Sequence, residues 1–126
     1  MNEASLLLAG APQEQKAIVY LHQAQLQSIL GEYTNAQKNF NNALNYFKID
    51  SLHASYSYCL EKYGYMLYRR GQSQQASEKL QHALSIYEQT FGKLHSKCAK
   101  VQNLLGQNAQ LQNNFQDAIT FYQSAI

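Results

Sequence analysis

The chain has little proline, little glycine, few charged residues and no tryptophan. One proline and six glycines in 126 residues exclude a collagen and a proline-rich disordered chain. Charged residues make up only 14% and the net charge is +2, so the clustered basic charge of a nucleic-acid binder is missing. No stretch approaches the roughly 20 apolar residues of a membrane span. Glutamine (17) and asparagine (10) replace the missing charge, and 45% hydrophobic residues can build one core.

Cysteine is also scarce. Cys59 and Cys98 lie far apart without a CxxC motif, which argues against a disulfide framework. We expect two reduced, half-buried thiols, with a metal pair or a catalytic thiol as the alternative. A short apolar run at 6–8 follows an acidic residue rather than a basic region, so it does not resemble a signal peptide. These features predict a cytoplasmic protein, provided that the chain is not cut from a longer one.

Motifs of enzymes and metal sites are missing as well. The sequence contains no HxxxH, HExxH, GxSxG, P-loop or Rossmann glycine pattern, and no two carboxylates sit together. We therefore predict no catalytic residue, no metal, no cofactor and no enzymatic activity. We expect His95 to order the junction between two repeats. The one dense basic cluster, formed by Lys62, Arg69 and Arg70, is interpreted as a solvated helix end rather than a phosphate site.

One short pattern occurs three times, with spacings of 40 and 42 residues. A small residue is followed seven positions later by a turn residue, and five positions after that by alanine. The positions are Ala24, Gly31 and Ala36; Gly64, Gly71 and Ala76; and Gly106, Asn113 and Ala118. Apolar residues at helical spacing flank each copy, and glycine or asparagine suits the end of a helix, so each copy predicts two helices. We predict one domain with an N-terminal segment over 1–12 and repeats over 13–50, 51–92 and 93–126.

The small residues predict how each pair of helices packs. Helices approach to about 8–10 Å only where the side chains at the contact are small. We expect these residues to face each other across the turns, Ala24 with Ala36, Gly64 with Ala76, and Gly106 with Ala118. The larger Phe40, Leu80 and Tyr122 would then fill the space between one pair and the next.

This pattern resembles the tetratricopeptide repeat, whose signature places small residues around a Gly-x-Tyr-x-x-Ala turn. The units are longer than usual and look like the kinesin-light-chain type. The segment 87–96 resembles the junction of that subclass, although Ser96 stands where proline is usual. The resemblance implies an all-α, right-handed helical-hairpin solenoid of about three repeats. It also implies a non-enzymatic scaffold that binds a peptide or partner segment in a concave groove.

The family's geometry implies that the first helix of each pair lines this groove. Tyrosine offers a large contact area at low entropy cost, and amides can pair with any peptide backbone. The candidate groove residues are His22 and Gln25, then Tyr58, Lys62, Tyr65, Tyr68 and Arg69, then Asn103 and Gln107. Counting back from the turn residue of each repeat assigns further positions to the groove, namely Ile18, Leu21 and Ile29, then Glu61, then Lys100, Leu104 and Leu111. A solvated helix surface is the alternative for each position. In repeats that bind the C-terminal tails of heat-shock chaperones, lysine and asparagine hold the tail carboxylate. Here those positions are occupied by Leu21, Gln25 and Glu61, so the resemblance argues against a chaperone tail as the ligand.

The two ends of the chain leave apolar faces uncovered in this arrangement. The last helix would expose Ala118, Ile119, Tyr122 and Ala125, and such a row should not stay in contact with water. We expect a fragment of a longer array, with a homo-oligomer formed through the open ends as the alternative. Two other functions stay open, namely a regulatory or assembly domain of a larger enzyme or sensor and a self-associating structural subunit.

Overall fold

A computed structural model of the chain describes residues 13–47 and 54–126, and every regular element in these two ranges is an α-helix. The helices are α1 (Gln13–Ile29), α2 (Tyr33–Phe47), α3 (Ala54–Arg69), α4 (Ser73–Phe91), α5 (Ser96–Leu111) and α6 (Phe115–Ser124). They form three hairpins. The hairpin α1–α2 belongs to one compact unit, and α3–α4 and α5–α6 belong to a second. The N-terminal segment 1–12 and the junction of the first two predicted repeats lie outside the described residues.

The three hairpin turns share one backbone geometry. The turn residues Gly31, Gly71 and Asn113 have φ angles of 82°, 77° and 60°. This left-handed region is open to glycine without a Cβ penalty and is tolerated by asparagine. The next backbone N–H in each turn bonds to the carbonyl five residues earlier and closes the end of the first helix. These bonds join Glu32 to Gln27 at 2.8 Å, Gln72 to Leu67 at 2.9 Å, and Asn114 to Ala109 at 2.9 Å.

In the second unit, the two hairpins pack together through α4 and α5. The buried cluster at this contact consists of Leu80, Tyr87, Cys98, Val101 and Leu105. Because its members come from one helix of each hairpin, burying this cluster requires the hairpins to stack. The stack also brings α3 beside α5, and this places the first helices of the two hairpins next to each other.

The helical glycines mark points of close approach within the second and third hairpins. A Cβ atom at Gly64 would lie 2.8 Å from Cγ of Leu80, and one at Gly106 would lie 2.6 Å from Cε1 of Tyr122. The closest atoms thus belong to Leu80 and Tyr122, and the facing of Gly64 with Ala76 and of Gly106 with Ala118 stays a prediction. Each glycine leaves room for a large side chain that lies one helical turn further along the second helix.

The other small repeat positions belong to the interior of the hairpins. Ala24 and Ala36 are fully buried in the first hairpin, and Ala76 and Ala118 are buried in the other two. The structure thus places all of these alanines in the packed part of the fold. An alanine buried at a helix contact lets the two backbones approach closely.

Both cysteines are free thiols and fully buried, so the expectation of half-buried thiols is wrong. Burial raises the pKa of the Cys59 thiol to about 12. Burial also raises the pKa of Cys98, whose Sγ donates to the carbonyl oxygen of Gly92 at 3.4 Å. A thiol reacts as a thiolate, so both groups act as small apolar side chains of the core.

The contact between Gly64 and Leu80 predicts the effect of one added methyl group. We expect Gly64→Ala to lower the free energy of unfolding by about 1–3 kcal/mol, because Leu80 is fully buried and cannot move aside. The higher helix propensity of alanine, about 1 kcal/mol, offsets only part of this cost. Urea unfolding followed by circular dichroism measures the change.

The matched control for this experiment is Ser85→Ala, which changes an exposed residue of α4. It should alter the free energy of unfolding by about 0.5 kcal/mol or less. A Gly64→Ala variant as stable as the parent chain would contradict the close contact.

Candidate functional site

A pocket of about 430 Å³ lies between α3 and α5, the first helices of the second and third hairpins. It is lined by Glu61, Lys62, Tyr65, Lys100, Leu104 and Gln107. Tyr65 lies three and four residues after Lys62 and Glu61, and Lys100, Leu104 and Gln107 are likewise three or four apart, so each set lies on one side of its helix. The structure thus gathers groove candidates from two separate repeats around one opening.

Glu61 forms the floor of this pocket and is only 2% exposed. The hydroxyl of Tyr87 donates to its Oε1 at 3.0 Å. The ammonium groups of Lys100 and Lys62 lie 3.6 and 3.9 Å from its Oε2. Oε2 accepts no hydrogen bond from the described residues. Glu61, a further groove candidate, thus lines the pocket while its carboxylate is buried beneath two lysines.

The position of Tyr87 explains how a carboxylate can be buried here. Its ring belongs to the core cluster and is fully buried, while its hydroxyl reaches Glu61. Burial, and after it the charge of Glu61, raises the pKa of the Tyr87 phenol far above its ordinary value. Tyr87 therefore stays a neutral hydrogen-bond donor, as a buried carboxylate requires of its partner.

Lysine side chains lie over the aromatic rings beside the pocket. The ammonium group of Lys62 lies 5.1 Å from the ring centre of Tyr58, and that of Lys97 lies 6.0 Å from the same ring. Lys97 also lies 5.5 Å from the ring centre of Tyr87. Cations over ring faces at these distances are attracted by the ring quadrupole.

An aromatic edge continues from the pocket toward the end of α3. Tyr65 is 40% exposed and stacks on half-buried Tyr68 with 6.2 Å between ring centres. The guanidinium carbon of exposed Arg69 lies 5.8 Å from the ring centre of Tyr65. This edge offers a flat ring and a cation to a partner in solution.

The remaining candidates are not brought to this pocket. Asn103 is exposed on α5 but is not among the lining residues. His22 is exposed and Gln25 is half-buried on α1, in the other unit. Leu21, a further groove candidate on α1, is 4% exposed.

His95 has the structural role that the sequence predicts. Its Nδ1 accepts a hydrogen bond from the backbone N–H of Lys97 at 3.1 Å, which caps the start of α5. Its ring stacks on Phe91 at the end of α4, with 4.5 Å between ring centres. His95 therefore orders the junction between the second and third hairpins.

The first hairpin contains a second, polar pocket that the sequence reasoning missed. It has a volume of about 410 Å³ and is lined by Tyr20, Gln23, Gln27, Asn35, Lys38, Asn39 and Asn42. The amide of Asn39 donates to Gln27 at 2.8 Å and joins α1 to α2 across it. The amide side chains recur at helical spacing on both helices, and this pattern could have predicted the pocket. The family's geometry instead assigned other positions of α1 to the groove.

Two features are absent from residues 13–47 and 54–126. No group of three or more histidine, cysteine or acidic side chains there could hold a metal ion. In the same ranges, no helix combines the length and the apolar character that crossing a bilayer requires.

Three helical hairpins with one shared turn geometry define a helical-repeat protein. The family model of the tetratricopeptide repeat matches residues 15–89 and 56–126. The chain belongs to the tetratricopeptide repeat family, which confirms the predicted all-α class with about three repeats. Proteins of this family generally mediate protein–protein interaction. A comparison with curated proteins finds no match.

The hydrogen bond between Tyr87 and Glu61 predicts the effect of deleting one hydroxyl. We expect Tyr87→Phe to lower the free energy of unfolding by about 1–3 kcal/mol, because Oε1 of a buried carboxylate loses its donor. Chemical denaturation of both proteins at neutral pH measures the difference. Tyr46→Phe is the matched control, since it removes a hydroxyl from a ring that stays stacked on Tyr20. Equal losses in the two variants would contradict a special role for the Tyr87 hydroxyl.

Proposed function

We propose that the chain is a non-enzymatic protein–protein interaction scaffold that binds an extended partner segment at the pocket between α3 and α5. The observation that supports this proposal is the set of residues that line the pocket. It combines an exposed ring from Tyr65, an amide from Gln107 and two ammonium groups on adjacent helices. Family membership supports interaction with a protein, and the pocket supports the location.

The chemistry of the pocket suits a peptide better than a small apolar ligand. The ring of Tyr65 gives contact area with few rotatable bonds. Gln107 offers both a donor and an acceptor, which can pair with the backbone of an extended segment whatever its sequence. The pocket is open to solvent beside two exposed residues, Tyr65 and Lys100, so a longer segment can continue past it. No cofactor and no catalytic residue form part of this proposal.

We also propose a reducing, cytoplasmic setting. The two free, buried thiols support it, because oxidising compartments favour disulfides.

Self-association is the second candidate, and exposed apolar side chains on the last hairpin favour it. Leu111, Phe115 and Ile119 are each at least half exposed. Apolar groups that lose contact with water on association would stabilise an oligomer. If this candidate is right, the mass measured by light scattering should rise with concentration, and Ile119→Lys should abolish the rise. A constant monomer mass over the accessible range would contradict it.

The proposed binding face predicts the behaviour of two variants in a capture experiment. The full chain is immobilised, and the proteins retained from a lysate are quantified by mass spectrometry. Tyr65→Ala and Arg69→Glu should each remove most of the specific capture, because both side chains form the exposed aromatic edge. Helix content by circular dichroism should stay unchanged, since both residues are exposed.

Lys93→Glu is the control for charge, because Lys93 is exposed in the turn between α4 and α5 and does not line the pocket. It should capture the same proteins as the parent chain. Undiminished capture by both Tyr65→Ala and Arg69→Glu would move binding away from this face.

A further inference from the structure

The floor of the pocket between α3 and α5 holds a buried acceptor that lacks a hydrogen bond. Oε1 of Glu61 accepts from the hydroxyl of Tyr87, but Oε2 accepts from no donor among the described residues. The ammonium groups of Lys62 and Lys100 lie 3.9 and 3.6 Å from Oε2, which is too far for a hydrogen bond. These ion pairs compensate the charge of the carboxylate but leave Oε2 without a donor. A buried acceptor in this state is costly, so the site favours a ligand that supplies an N–H or O–H group.

The charges around Oε2 select a neutral donor. A cationic side chain would supply N–H groups, but it would lie beside two ammonium groups and be repelled by both. A carboxylate could pair with the ammonium groups, but at neutral pH it has no hydrogen to donate. Oε2 of Glu61 would then stay without a donor and would lie beside a second negative charge. A neutral group that carries an N–H or O–H avoids both penalties.

A primary carboxamide matches the donors and acceptors of this floor. Its N–H group can donate to Oε2 of Glu61, and its oxygen can accept from an ammonium group, which has three N–H donors. Lys100 is the side chain that can turn toward the ligand, because 61% of it is exposed. Lys62 is 22% exposed and lies over the ring of Tyr58. Movement of Lys100 uncovers Oε2 and at the same time supplies the donor for the amide oxygen.

We infer that the pocket recognises a glutamine side chain within an extended segment of the partner. The inference rests on the proposed function and specifies its ligand. Leu104 lines the pocket together with the polar groups, so a glutamine can pack its two methylene groups against this apolar wall while its amide reaches the floor. Asparagine and serine are shorter and gain less from contact with the wall. Glu61 is the residue that determines the specificity, and Lys100 completes the recognition of the amide.

The test uses the full chain and a displayed library of random short peptides. Selected peptides should be enriched in glutamine at one position, and their binding is measured by fluorescence anisotropy. Replacing this glutamine by glutamate should weaken binding about tenfold, because the ligand no longer donates to Oε2. Replacement by alanine should cause a comparable loss. For a peptide whose other residues are neutral, higher salt should change the affinity by less than about twofold, since the recognised group has no charge to screen.

The variant Glu61→Gln tests the floor itself. The introduced amide can keep its oxygen for the hydroxyl of Tyr87 and turn its NH2 group toward the pocket, so that an acceptor becomes a donor. This variant should prefer the glutamate peptide to the glutamine peptide, the reverse of the parent chain. The ratio compares two peptides on one protein, so it does not depend on the fraction of the variant that is folded. Glu78→Gln makes the same change at an exposed position of α4 and should keep the preference of the parent chain.

Three results would overturn the glutamine ligand: selected peptides without enrichment in glutamine, equal binding of the glutamine and glutamate peptides by the parent chain, or an unchanged preference in Glu61→Gln. The variant Tyr65→Ala separates this inference from the proposed function. If the selected peptides lose affinity for Tyr65→Ala but show no preference for glutamine, the proposed function stands and only this inference fails. If no peptide is selected, or none depends on Tyr65, both fail.

Discussion

The contact between Gly64 and Leu80 is the constraint on which the second unit depends. Leu80 occupies the place that a Cβ atom at position 64 would need, so α3 and α4 can pack at this distance only with glycine there. The same leucine belongs to the buried cluster that holds α5 against α4. One side chain therefore fixes the helices within a hairpin and contributes to the stacking of the next. The spacing of α3 and α5, and with it the pocket, follows from this packing.

Tyr87 belongs both to the core and to the candidate site. Its ring completes the buried cluster, and its hydroxyl partners the carboxylate of Glu61. A buried carboxylate without partners would be strongly destabilising, so this hydrogen bond and the two nearby ammonium groups together permit an acid beneath the pocket. The acid in turn holds two lysines at the opening. The charge of the proposed binding face is thus organised from the interior of the protein rather than by surface side chains alone.

Much of the fold could be predicted because its signals are local. A residue that tolerates positive φ ends the first helix of each hairpin, and apolar residues at helical spacing predict the helices on both sides. The sequence also indicated the helices that border the pocket, although only through the family's geometry. The burial of Glu61 could not be predicted, since its partner Tyr87 lies 26 residues away on another helix. The close contact of Gly64 with Leu80 depends on where two helices cross, which repeat spacing does not specify.

The central claim is that a partner covers the face formed by α3 and α5, and chemical footprinting of lysines tests it most directly. The chain is acetylated with and without a captured partner, and each modified lysine is quantified by mass spectrometry. The account predicts that Lys62 and Lys100 become protected on binding, while Lys79 on α4 and Lys93 in the following turn stay as reactive as before. Protection of Lys79 or Lys93 with no change at Lys62 and Lys100 would contradict it.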